Sequence, residues 1–142
     1  MAEKLVVSRD SDRNPKPALK PEPKKKLCIL GTASTMPKAP YDDDEYEIWG
    51  VSGLIDTDGC KRLDRVFEIH PWYELRSMMM LVERLKGFKG TLYLQEENEE
   101  IPNAIAFPHK AIRDKFYLDV MGDHLYVTNT VTWMILLGLL EG

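Results

Sequence analysis

The chain has 142 residues, 44% hydrophobic and 30% charged, with a net charge of −4, which is enough apolar sequence for one domain with its own core. The acidic balance disfavours nucleic acid as a partner, because a phosphate backbone calls for clustered Lys and Arg. The longest apolar stretch, Val131 to Leu140, is far shorter than the roughly 20 residues of a membrane span, and the N-terminus lacks the apolar segment of a signal peptide.

Residues 1–26 hold Pro15, Pro17, Pro21 and Pro23 among Lys, Arg and Asp. With almost nothing to bury, this stretch reads as a disordered Pro/Lys-rich tail. Leu27 to Leu30 is a continuous apolar run ending at Gly31, the pattern of a strand buried on both faces of a parallel sheet. Tyr46 to Val51 and Arg65 to His70 read as the next two strands, and Pro71 stops the second of these and suits a helix start. The spacing of Leu75, Met78, Met79, Leu81, Val82 and Leu85 predicts one helix over 72–86, with the methionines as core filler and Gly87 as its stop. Thr91 to Gln95 reads as a fourth strand, and Glu96 to Glu100 as a solvated loop. Residues 101–107, bracketed by Pro102 and Pro108, are ambiguous; 109–116 suit a short helix. Residues 128–140 form a helix that is apolar nearly all round, a pattern normally found buried. Strands alternating with helices imply an α/β domain over 27–142: a Rossmann-like, three-layer fold with a mostly parallel sheet of four to five strands. The stop at Gly142, directly after a greasy helix, fits a domain that is short at its C-terminus.

Two cysteines, Cys28 and Cys60, without a nearby His make neither a zinc site nor a disulfide framework, and the cytoplasm is the compartment they suit. Consecutive carboxylates at Asp42 to Glu45 do not easily converge on one ion and read as a solvated turn, so no metal is expected.

Three places could carry chemistry. The first is the loop after the first strand, Gly31, Thr32, Ser34 and Thr35, where small residues admit a ligand to the backbone and hydroxyls can meet phosphate or ribose oxygens. The second is Glu68 with His70, two apart on a strand and therefore on one face; they suit a general acid–base pair or a grip on ligand hydroxyls. The third is Thr128, Asn129 and Thr130 at the start of the last helix, where free N–H groups attract anions. Trp49 could stack on a base, and Gln95 could line the same cleft. Each has a plain structural alternative: a turn, a hydrogen-bonded pair, a helix cap, a core tryptophan.

Taken together, Gly31-x-x-Ser34, Ala39-Pro40, Glu47 to Val51, Val66 to His70 and Tyr126 to Val131 with Met134 resemble a poorly characterised group of bacteriophage-encoded Rossmann-like proteins. The Gly31-to-Thr35 turn and the Thr-rich helix start are also similar to sialyltransferase-like nucleotide-sugar enzymes. That likeness implies nucleotide contacts from Gly31, Ser34 and Thr35, phosphate or sugar contacts from residues 128–130, and His70 as base. The chain thus reads as a nucleotide or nucleotide-sugar binding domain, open to transferase or hydrolase chemistry, with its cofactor unspecified. The competing reading is a non-catalytic phage accessory protein that assembles, for instance with its own copies, through Trp133, Ile135 and Leu139 of the last helix.

Overall fold

The computed structural model describes residues 24–116, 120–121, 124–125 and 129–142; the tail expected over 1–26 lies outside them as far as residue 23. The apolar runs form β1 (Lys26–Leu30), β2 (Tyr46–Val51), β3 (Arg65–Phe67), β4 (Thr91–Leu94) and β5 (Ala104–Ala106). They make one wholly parallel sheet in the order β1-β2-β3-β4-β5. The ambiguous segment 101–107 thus supplies the edge strand β5.

Each strand lies beside the next in sequence, so crossovers of the usual right hand all fall on one face. That face carries the short 3-10 turns Met36–Lys38 and Ser52–Leu54, then α1 (Trp72–Leu75) and α2 (Met79–Gly87). Its core runs from Leu30, Met36, Tyr41 and Ile48 near β1 to Val66, Leu75, Leu85 and Leu92 under α2. The opposite face is covered from the C-terminal part of the chain by α3 (His109–Phe116) and α4 (Thr130–Glu141), joined through the two-residue strands β6 (Val120–Met121) and β7 (His124–Leu125). The result is the three-layer, Rossmann-like α/β fold that the sequence implies.

The second face is built on aromatic rings, one from each of β2, β3 and β4 and one from just beyond β5. Trp49 meets Phe67 at 5.4 Å, Phe67 stacks on Tyr93 at 4.9 Å, and Phe107 stacks on Trp133 of α4 at 4.4 Å. Such contacts add to the burial of the rings themselves. α4 runs antiparallel to the strands. Near its start, Trp133 packs on Phe107 and His109, beyond the carboxyl end of β5. At its other end Glu141 pairs with Arg65 at 2.7 Å, and Lys24 donates to the Gly142 carbonyl. Arg65 also pairs with Glu47 at 2.5 Å and lies over the Trp49 ring. No helix among the described residues is long and apolar enough to cross a membrane.

Three expectations are corrected. The helix predicted over 72–86 is broken, because Ser77 Oγ donates back to the Glu74 carbonyl and Met78 leaves helical geometry at φ −93°, ψ 62°. Met79 and Met80 consequently face solvent instead of filling the core. The last helix is buried on one side only: Trp133, Met134 and Leu137 are inside, whereas Val131, Ile135 and Leu139 are exposed. Trp133 therefore does not belong to the outer surface expected of it.

Two glycines test the packing. A Cβ on Gly90 would lie 2.6 Å from the Asp64 backbone carbonyl, which accepts the Thr91 N–H and cannot step aside. A Cβ on Gly138 would meet only the tip of Leu27, at 2.7 Å. Gly90→Ala is expected to cost about 1–3 kcal/mol. Gly138→Ala should stay within about 1 kcal/mol of the wild type, since the helix-propensity gain offsets a small side-chain shift. Urea midpoints of the two variants check this order.

Candidate functional site

β3 ends at Phe67, three residues short of the predicted His70, because the chain beyond it turns to serve a carboxylate. The Glu68 N–H still donates to the Tyr93 carbonyl at 2.9 Å, which keeps the backbone on the sheet for one more step. His70 precedes Pro71, and a residue before proline is driven to extended geometry. Pro71 then opens α1, its carbonyl accepting from the N–H groups of Glu74 and Leu75.

Glu68 is 3% exposed and Ser52 is 7% exposed; aromatic residues aside, they are the buried polar side chains among the described residues. They bond to each other, Ser52 Oγ donating to Glu68 Oε2 at 2.5 Å. The other carboxylate oxygen, Oε1, accepts the His70 backbone N–H at 2.8 Å and His70 Nδ1–H at 2.5 Å. Three donors thus replace the water that a buried carboxylate loses. The parallel register explains the meeting: Val51 pairs with Phe67, so the next residues, Ser52 and Glu68, fall side by side at the carboxyl edge. One strand further, Gln95 Nε2 donates to the Ile69 carbonyl at 2.6 Å and ties the end of β4 to the same turn.

The chemistry follows from these bonds. With Nδ1–H given to Glu68, the neutral imidazole carries its lone pair on Nε2. The His70 side chain is 46% exposed, so that nitrogen is available to a ligand hydroxyl or a water. Ser52 commits its proton to Glu68, which makes it a positioning residue and not a nucleophile served by His70. A cleft of about 220 Å³ opens beside the imidazole, floored by Leu75 and Leu94 and walled by Trp72, Gln95 and the loop from Glu96 to Asn98.

Of the residues singled out from sequence, the structure brings Glu68, His70 and Gln95 together. Gly31, Thr32, Ser34 and Thr35 sit at the same carboxyl edge, after β1 and two strands away. The three hydroxyl side chains are exposed, and none of the four residues lines the cleft. Asn129 caps α4, its Oδ1 accepting the Thr132 N–H at 2.9 Å. It and Thr130 lie toward the carboxyl edge on the α3/α4 side of the sheet, whereas Leu75 and Leu94 place the cleft on the α1/α2 side. Thr128 lies outside the described residues. Trp49 is buried beneath Arg65 and Gly138, so it presents no free ring to a base; the aromatic wall of the cleft is Trp72. Sequence reasoning missed Ser52 and Trp72. The signal for Ser52 was its place one residue past a strand neighbouring that of Glu68.

Asp43 to Glu45 face separate partners: Asp43 accepts the Glu45 N–H, Asp44 approaches Arg62, and Glu45 pairs with Lys26. Among the described residues, no group of three or more His, Cys, Asp or Glu side chains could hold a metal ion. No family model, curated protein or solved structure matches the chain.

Ser52→Ala removes one of the donors to a buried carboxylate and is expected to cost about 1–3 kcal/mol. His70→Ala, at a half-exposed position, is expected to cost less. Chemical denaturation of both variants measures the difference, and equal costs would mean that the serine hydroxyl does not hold the carboxylate.

Proposed function

We propose that this chain is a nucleotide or nucleotide-sugar binding α/β domain whose binding centre is the cleft beside His70. The carrying observation is the buried Glu68 carboxylate, held by Ser52, that fixes the His70 imidazole at the wall of the cleft. A fixed neutral imidazole accepts a proton from a hydroxyl, the step a transferase or hydrolase needs at its nucleophile. The Trp72 ring offers a face for a base or sugar. Carboxyl ends of parallel strands are where ligands settle in open α/β sheets.

A thermal-shift panel of nucleosides, nucleotides and nucleotide sugars tests the reading. A ligand at a hundredfold over its Kd adds about 2.7 kcal/mol to the folded state, a clear rise in Tm. His70→Ala should lose that rise while keeping its own unliganded midpoint. No shift from any of the panel, with well-folded protein, contradicts the proposal.

A second reading rests on α4. Val131, Ile135 and Leu139 are 36%, 45% and 60% exposed and recur every four residues, which makes one apolar stripe. Such a stripe suits assembly with another copy or another protein. Sedimentation analysis distinguishes the readings: association that Leu139→Lys abolishes, with no ligand response, favours the interaction module.

A further inference from the structure

The walls of the cleft differ in charge from what a phosphate requires. Glu96 and Glu97 form its lip, both exposed, and Glu99 and Glu100 follow on the same loop. Among the described residues, no Lys or Arg lines the cleft. The remaining groups are an imidazole, the Gln95 and Asn98 amides and the Trp72 indole. Gln95 uses one N–H on Ile69 and Asn98 uses its carbonyl oxygen on the Glu100 N–H, which leaves the Gln95 Oε1 acceptor and second N–H, and both Asn98 Nδ2 N–H donors. The space, about 220 Å³, is below the usual range for a drug-sized ligand and suits one ring.

We infer that the group entering this cleft is an uncharged, hydroxyl-bearing ring, with any phosphate held outside the Glu96–Glu97 lip. This deepens the reading that the cleft binds a nucleotide-like ligand, and rests on it. A hydroxyl on the ring donates to His70 Nε2, the ring lies against Trp72, and the amides take its remaining polar atoms. The carboxylates accept further hydroxyls and repel anions, so the lip selects by charge. Ribose and a transferable hexose share this chemistry.

The test is titration calorimetry of the full chain with adenosine and uridine against their 5′-diphosphates, and with methyl glucoside against glucose 6-phosphate. Two carboxylates a few ångströms from a phosphate should weaken the phosphorylated probe by about tenfold near 0.1 M salt. The double variant Glu96→Gln/Glu97→Gln, at exposed positions, should narrow that gap, as should raised salt. Which neutral probe binds decides between the nucleoside and the sugar end. A wild type that binds the phosphorylated probe more tightly, by a ratio the double variant leaves unchanged, overturns the inference while leaving the ligand-binding proposal standing. Absence of His70-dependent binding by every probe overturns both.

Discussion

A carboxylate stripped of nearly all its water is tolerated only where hydrogen-bond donors replace that water, and Glu68 has three. Two of them come from His70, two residues on; the third comes from Ser52, just past the neighbouring strand. The arrangement therefore requires β2 and β3 to lie side by side, in parallel, and in the register that pairs Val51 with Phe67. A slip of one residue would move Ser52 away from the carboxylate and reverse the faces of both strands. The imidazole, the cleft and the proposed ligand contacts all inherit their positions from this one buried group.

The rest of the fold supplies the rigidity that the group needs. A sheet that advances strand by strand in one direction puts its crossovers on one face and leaves the other bare. That bare face carries Trp49, Phe67 and Tyr93, and α3 and α4 return to cover it. Arg65 fastens the arrangement at the amino edge, between Glu47 of β2 and Glu141 of α4. The two ends of β3 thus have separate tasks: a largely structural ion-pair cluster at its start, and the carboxylate–imidazole pair just past its finish.

The apolar runs made β1, β2 and β4 legible in the sequence, but β1 is an edge strand with Leu27 exposed, not the strand buried on both faces that its run implied. β5 was not legible, because Ala104 to Ala106 is too short to show a period. The break at Met78 was hidden for a different reason: apolar spacing continues through it, and only the backbonding of Ser77 marks the interruption. Glu68 and His70 were expected together as alternate residues of one strand, whereas the structure joins them in the turn beyond β3, where the Glu68 carboxylate accepts the His70 N–H and Nδ1–H. Ser52 was not legible, because its role depends on inter-strand register, which sequence spacing does not state. The same gap separated Trp49 from Trp72. Both are tryptophans near strand ends, and only the return of α4 over β1 and β2 decides which one is covered.

The tautomer of His70 tests the account most directly. Nitrogen-15 NMR of the neutral imidazole reports which nitrogen carries the proton. The account predicts a proton on Nδ1 and a bare Nε2 in the wild type, with that preference weakened in Glu68→Gln. A wild-type ring protonated on Nε2, or one averaging freely between the two forms, would mean that the carboxylate does not hold it, and the proposed site would lose its chemical basis.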